Sequence, residues 1–249
     1  MSKQQPERSS EFRRRWMRPV WLTLAITFSG SALHAQGTST IPANGGPAWV
    51  AVQQALGGKG TMQPGDVLKF GFPRSDLKVI ADGVTLKPTF ALGSWVAFKR
   101  VAATPNADVM VMGDLVLTED EVGPVMLSLQ QNGVEQTALH NHVLHESPRI
   151  MYMHIAAHGD AAKIANAIHT ALGQSKTPMP LASAASAAPA PAPAIEIDTV
   201  GVAQALGFAG KGNGGVFQFS IPRSEPITDN GMTVPPSMGV ATAINFQPT

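Results

Sequence analysis

The chain contains an internal repeat whose second copy stops partway. The segment Val52-Gln-Gln-Ala-Leu-Gly57 returns as Val202-Ala-Gln-Ala-Leu-Gly207, and Phe72-Pro-Arg-Ser75 returns as Ile221-Pro-Arg-Ser224. The matches keep their order along both copies, which favours a true repeat over chance. The second copy stops soon after the residue that corresponds to Phe98, so everything that follows Phe98 is present only once.

A stretch of alanine, proline and serine separates the two copies. Leu181 to Ala194 consists almost wholly of these residues, which bury too little apolar surface to form a core. The sequence therefore predicts a first domain at residues 40–172, a linker at 173–194 and a truncated second repeat at 195–249. With about 55 residues, the second repeat is marginal as an independent fold, so we expect it to dock on the first domain or to stay partly open.

The first 35 residues have the layout of a secretory signal peptide. A basic segment, Arg13 to Arg18, precedes the apolar residues Val20 to Phe28, and a run of small residues ends at Ala35. A permanent membrane anchor would need about 20 apolar residues, so the segment favours export without an anchor. The adjacent arginines are also similar to a twin-arginine export signal, and both routes remain open. We expect a mature protein that begins near Gln36 and is periplasmic or secreted.

The charge of the expected mature chain argues against nucleic acid as a partner. The full chain has 18 basic and 17 acidic residues, and residues 1–35 hold six of the basic and two of the acidic ones. The mature chain would therefore carry a net charge of −3, whereas nucleic-acid binding depends on clustered positive charge. The chain has no cysteine, which excludes disulfides and a lipid-modified cysteine after the signal.

The predicted elements of the first domain indicate an α+β fold with a mainly antiparallel sheet and flanking helices. Asp82-Gly83 is a strong signal for a tight hairpin turn between two strands. Thr118-Glu-Asp-Glu121 predicts a capping box at the start of one helix, and Asp160 predicts the cap of another. Residues 109–172 then have the order strand, helix, strand, strand, helix. Together with the second copy, the fold is predicted to be a partial internal duplication.

Five of the seven histidines lie within nineteen residues, in a predicted β-hairpin. His140 and His142 are two residues apart on a predicted strand at 135–144, so both side chains are expected on the same face. His154 lies on the predicted return strand, and Glu146 lies in the loop between them. Three imidazoles and a carboxylate suit zinc, iron, manganese or nickel. We therefore predict His140, His142 and His154 as metal ligands, and Glu146 as a fourth ligand or a general base.

The register of this hairpin decides whether the three histidines meet. A five-residue loop places His140 opposite His154, whereas a four-residue loop places His154 on the other face of the sheet. Met151 and Met153 would add sulfur ligands for copper(I) if they pointed towards the histidines. The alternative is a polar network without metal, in which both methionines belong to the core.

Segments around the histidine hairpin and in the second copy closely resemble the LppY/LpqO family of exported bacterial proteins. The segments that carry the resemblance are Met112 to Val125, Gly133 to His142, Glu146 to Arg149, Met153-His154, Ile221-Pro-Arg223 and Pro235 to Phe246. The resemblance covers nearly all of 48–249 outside the linker, and it implies export and a duplicated domain of unknown activity. The chain departs from the family in two ways, because it lacks the lipid-accepting cysteine of some members and because its second repeat stops before a histidine hairpin.

Two functions follow from these residues. The first is an exported protein that binds a divalent metal, zinc or copper, at the histidine hairpin, with a metal-dependent enzyme included in this class. The second is a non-catalytic periplasmic module that uses the same face to bind a small polar ligand or another envelope protein.

Overall fold

The computed structural model describes residues 46–101, 108–179 and 194–249. The predicted signal peptide, its cleavage site and most of the predicted linker lie outside the described residues. Within the described ranges, no helix combines the length and the apolar character needed to cross a membrane.

The predicted α+β class with mostly antiparallel sheets is confirmed. The described elements of the first domain are α1 (Gly46–Ala55), β1 (Thr61–Gln63), β2 (Val67–Pro73), β3 (Ile80–Ala81), β4 (Val84–Thr85), β5 (Gly93–Arg100), β6 (Asp108–Thr118), α2 (Glu119–Gln131), β7 (Glu135–His140), β8 (Glu146–Ser147), β9 (Ile150–Asp160) and α3 (Ala161–Leu172). Those of the second unit are α4 (Thr199–Leu206), β10 (Lys211–Asn213), β11 (Val216–Ile221), β12 (Ile227–Asp229), β13 (Met232–Val234) and β14 (Thr242–Phe246), with a 3-10 turn at Pro236–Met238.

A six-stranded sheet organises the first domain. Its strand order is β1-β2-β5-β6-β9-β7, and every neighbouring pair is antiparallel. Helices α1, α2 and α3 pack on one face of the sheet, against alternate residues of β6 such as Val111 and Leu115. Because successive side chains of a strand point to opposite faces, Met110 and Asp114 of the same strand face away from the helices. The non-helical face of the sheet therefore carries Asp114.

A buried ion pair joins the end of β2 to the start of α2. The Thr118 amide donates to the Glu121 carboxylate at 2.9 Å, as the predicted capping box requires. Glu121 also accepts from Arg74, whose Nη1 lies 2.7 Å from Oε2, and Arg74 is completely buried. Arg74 makes further hydrogen bonds to Asp76 and to the Val116 carbonyl. Arg74 therefore links the loop at Asp76, strand β6 and the start of α2.

The predicted linker begins later than its composition suggests. The Lys176 amide donates to the Glu121 carboxylate at 2.8 Å, and Thr177 is buried. Met179 packs against the core on the helical side of the sheet. Residues 173–179 therefore belong to the packed part of the first domain.

The second unit begins with the same order of elements as the first domain. A helix, a short strand, a longer strand, a small hairpin and a last strand follow one another, and β10-β11-β14 pair antiparallel as β1-β2-β5 do. The two units therefore have the same order of elements. That this similarity arose by an internal duplication stays a prediction.

The second unit docks on the non-helical face of the large sheet. Val234 and Met238 are buried in one cluster with Val67 and Met110 of the first domain. Gly239 has a φ of 90°, and a Cβ atom there would lie 2.4 Å from the ring of Trp95, so the close approach requires glycine. The second unit therefore shares a hydrophobic cluster with the first domain. Its inability to fold alone stays a prediction.

The observed register of the histidine hairpin is neither of the two considered, and it differs by two residues from the one that places His140 opposite His154. His140 pairs with Tyr152, and Ala138 pairs with His154 after an irregularity next to Gln136. The strand β7 ends at His140 instead of continuing to residue 144. The connection between β7 and β9 contains β8, which pairs with β3 and not with β7 or β9. This pairing between segments distant in sequence takes residues of the connection out of the hairpin. A shift of two residues preserves the face of every side chain, so His140 and His154 still point the same way.

Candidate metal centre

The structure brings His140, His142 and His154 together on the non-helical face of the sheet. One ring nitrogen from each histidine lies within 4.8 Å of the other two. The Nε2 atoms of His140 and His154 are 3.1 Å apart. Two nitrogens that share a tetrahedral zinc ion, each at 2.0–2.1 Å, lie about 3.3 Å from one another. The spacing of His140 and His154 therefore fits a shared metal ion, and His142 completes a group of three that could hold it.

A different structural feature positions each histidine. His154 lies in the middle of β9, and His140 is the last residue of β7. His142 lies beyond the end of β7, where its ring stacks on Tyr152 with 3.6 Å between ring centroids and 14° between planes. Tyr152 is itself buried, so its ring holds the His142 ring in a fixed position. The prediction that strand alternation places His142 is therefore wrong, and aromatic stacking takes that role.

Asp114 is a fourth polar group at this site, and the sequence analysis missed it. In the sheet Asp114 pairs with His154, and its Oδ2 atom lies 3.8 Å from Nε2 of His154 and 3.9 Å from Nε2 of His142. Its Oδ1 atom is buried and has no hydrogen-bond partner among the described residues. The available signal was an acidic residue in an apolar strand, since Asp114 interrupts a run of valine, methionine and leucine. A buried carboxylate oxygen without a partner marks a place where a cation can bind.

Burial favours the neutral form of both Asp114 and His142, so it shifts their pKa values in opposite directions. Removal from water raises the pKa of Asp114, and the nearby His154, His140 and Lys69 partly oppose this effect. Burial also lowers the pKa of His142 to about 4, with help from His140 and His154. His142 is therefore neutral near pH 7, which is the form of imidazole that binds metals.

This low pKa predicts how the metal-free protein responds to acid. The ordinary pKa of histidine is 6.5, and that of His142 in the fold is about 4. Between these values the unfolded chain binds a proton at His142 that the folded chain does not, so stability falls as the pH drops from 6.5 to 4. We expect the thermal midpoint to fall more steeply over this range in the wild type than in His142→Phe, measured with a chelator present.

The His142→Phe variant is a suitable reference because a phenyl ring can still stack on Tyr152 but cannot titrate. Asp114 titrates in both proteins, and its raised pKa acts in the opposite sense. The difference between the two slopes therefore reports His142. Identical slopes would show that His142 is as easily protonated in the fold as in the unfolded chain.

Glu146 makes contacts within the connection rather than with the three histidines. Its Oε1 atom lies 3.2 Å from Nδ2 of Asn141 and 3.3 Å from the Ile150 amide. These contacts stabilise the loop that carries His142. The role of Glu146 as a fourth ligand or general base stays a prediction.

The two remaining histidines of the cluster and the nearby methionines have other surroundings. His145 is exposed beside Asp82, and His158 lies 3.0 Å from Asp229 of the second unit. Met153 is buried on the helical side of the sheet. Because Met153 faces away from the histidines, the condition under which it would add a sulfur ligand for copper(I) is not met.

The histidine group opens into a cleft between the sheet and the second unit. The cleft has a volume of about 1210 Å³, which is enough for a small molecule, since ligand pockets occupy about 300–1,000 Å³. The first domain contributes Trp95, Asp114, His140 and His142 to its lining, and the second unit contributes Lys211, Asn213, Gln218 and Asn245. Both units therefore build the walls of one candidate site.

Comparison with known proteins identifies the family. The chain matches the family described as Domain of Unknown Function (DUF1259) over residues 50–174 and 200–249. No curated protein and no solved structure matches the chain. The matched residues cover more than half of the chain and include all three histidines and both walls of the cleft. The chain therefore belongs to the DUF1259 family, a family of unknown function.

Proposed function

We propose that this protein is an exported metal-binding protein in which His140, His142 and His154 hold one divalent ion, zinc or copper. The observation that carries the proposal is the approach of three ring nitrogens to within 4.8 Å of one another on one face of the sheet. Export is supported by the pattern of the first 35 residues. The resemblance to the exported LppY/LpqO proteins also supports it.

The surroundings of the histidines favour a metal over a network of hydrogen bonds. A buried network normally satisfies its members. Here the Asp114 Oδ1 atom and the Tyr152 hydroxyl are both buried without a partner among the described residues. A cation at the three nitrogens would compensate the charge of Asp114, which lies less than 4 Å from two of the rings.

The donor set is also that of a site with a free coordination position. Three neutral imidazoles bind zinc in catalytic sites that keep the fourth position open. A metal held there by the three histidines would acidify bound water and polarise carbonyl or phosphoryl oxygens. Asp114 is placed to serve as the fourth ligand or to accept a proton from a molecule in the cleft. We therefore propose Asp114, alongside Glu146, for the acid–base role in a metal-dependent enzyme.

The second proposal is a non-catalytic binding module. The cleft of about 1210 Å³ supports it, because a cleft with walls from two units can hold a ligand without metal. Metal content separates the two proposals.

Elemental analysis of the mature chain tests the metal site. The wild type, dialysed against zinc and then against buffer, is expected to retain about one zinc ion per chain. His142→Ala is expected to weaken binding by more than the roughly 10–100-fold loss caused by removing an outer-shell partner, because it removes a ligand itself. The zinc content of this variant should therefore fall to background.

His169→Ala is the matched control, since His169 is exposed on α3 and lies outside the histidine group. It should retain the wild-type zinc content. Circular dichroism should show that both variants are folded. A wild type that retains neither zinc nor copper, or a His142→Ala variant with full metal content, would favour the binding module.

A further inference from the structure

The second unit forms one wall of the cleft beside the histidines. The residues of this wall come from β10, β11 and β14, among them Lys211, Gln218 and Asn245. The Gln218 side chain donates to the Thr89 carbonyl at 2.7 Å, and the Lys87 amide donates to the Gln247 side chain at 2.8 Å. The second wall is therefore fixed in place by hydrogen bonds to the first domain.

Apart from its histidines, the described lining of the cleft holds one acidic and one basic side chain. Among the described residues that line the cleft, Asp114 is the acidic side chain, and Lys211 is the Lys or Arg side chain. Lys69 lies beside Trp95, with Nζ 3.9 Å from the ring centroid, and its charge acts on Asp114. With a divalent ion at the histidines, the positive charges of the ion, Lys69 and Lys211 would outweigh the one negative charge of Asp114.

The uncharged lining suits an oxygen-rich molecule that also has an apolar part. Asn245 contributes a side-chain amide, and Phe90 and Trp95 contribute aromatic surface. The amides of Asn141 and Asn213 also line the cleft and already donate to Glu146 and Gln218. Amide groups donate to carboxylate and phosphate oxygens. Such oxygens are also good ligands for divalent metals, and lysine is a common partner for anionic groups.

We propose that the cleft binds a small organic anion, a carboxylate or a phosphate ester, between the histidine site and Lys211. The inference rests on the proposed metal site for one of its two positive charges. Lys211, which comes from the second unit, supplies the other. In this proposal the second unit serves as the recognition wall for a ligand that the first domain contacts through its metal.

Calorimetric titration of the zinc-loaded mature chain tests the proposal. Benzoate and phenylphosphonate are the probes, and benzyl alcohol is the neutral probe of similar shape. We expect one or both anions to bind and the alcohol to show no binding at the same concentrations. Benzoate alone would identify a carboxylate site, and phenylphosphonate alone would identify a phosphate site.

Lys211→Gln is expected to weaken anion binding at least tenfold while zinc content stays at the wild-type value. Lys59→Gln is the matched control, because Lys59 is the corresponding exposed residue of the first repeat and lies outside the cleft lining. It should bind the anions like the wild type.

Zinc content separates a failure of this inference from a failure of the metal site. A chain that retains zinc but binds neither anion, binds the alcohol equally well, or is unaffected by Lys211→Gln would overturn the anion proposal alone. A chain that retains no metal would overturn the proposed function, and with it the two-charge site.

Discussion

Replacing Arg74 with methionine is expected to lower the free energy of unfolding by about 3–5 kcal/mol, the usual cost of removing one partner from a buried ion pair. Arg74 is fully buried, and Glu121 is only 5 % exposed. Their closest atoms are 2.7 Å apart. Without the guanidinium, the Glu121 carboxylate would remain buried without its cation, and α2 would lose its attachment to β2.

Chemical denaturation of the mature chain measures this effect, and the repeat provides the matched control. Arg223 is the counterpart of Arg74 in the second unit, where it pairs with Glu225 at the surface. Exposed pairs contribute about 0–1 kcal/mol, so Arg223→Met should change the unfolding free energy little. Equal losses in both variants would show that the burial of Arg74 does not determine its contribution.

A double variant separates the unpaired charge from lost packing. Arg74→Met together with Glu121→Gln removes the charges of both partners, so it should recover part of the stability that the single variant loses. If the double variant were less stable than Arg74→Met, the loss would come from packing and capping contacts instead.

The second large effect that we expect is stabilisation of the fold by zinc at the proposed metal site. A ligand at 1,000 times its dissociation constant stabilises the folded state by about 4 kcal/mol if it does not bind the unfolded chain. For a domain of this size each kcal/mol corresponds to roughly 2–4 °C. Saturating zinc is therefore expected to raise the thermal midpoint by roughly 8–16 °C over protein in a chelator, measured by scanning calorimetry.

The variants already described show where the zinc acts. His142→Ala should lose most of the shift in thermal midpoint, whereas Arg223→Met should keep it, because Arg223 lies far from the ligands in sequence and outside the cleft lining. An undiminished shift in His142→Ala would mean that zinc stabilises the fold from another position.

Features of the fold that depend on neighbouring residues were predictable from the sequence. The turn at Asp82-Gly83 has positive φ at both residues, as a two-residue hairpin turn of this kind requires. The Glu121 side chain bonds the Thr118 amide, as the capping pattern predicts. Such features involve atoms a few residues apart, so local chemistry decides them.

Features that depend on distant segments were not predictable. The register of the histidine hairpin follows from the pairing of β8 with β3, which joins segments more than sixty residues apart. Asp114 reaches the histidines only through the pairing of β6 with β9. The three histidines could be predicted because they lie close together in sequence, whereas a carboxylate on a separate strand could not.

Because the two walls of the cleft come from different segments of the chain, one wall could be replaced by engineering without changing the other. The histidines and Asp114 all come from the first domain, while Lys211 and its neighbours come from a segment that follows the Ala/Pro/Ser stretch. Transplanting that segment from another family member would change one wall and leave the metal ligands untouched. Such a chimera would need glycine at position 239, because Trp95 occupies the space of any larger side chain. Exchange of the second unit alone is therefore expected to change the ligand preference of the cleft while the proposed metal ligands stay the same.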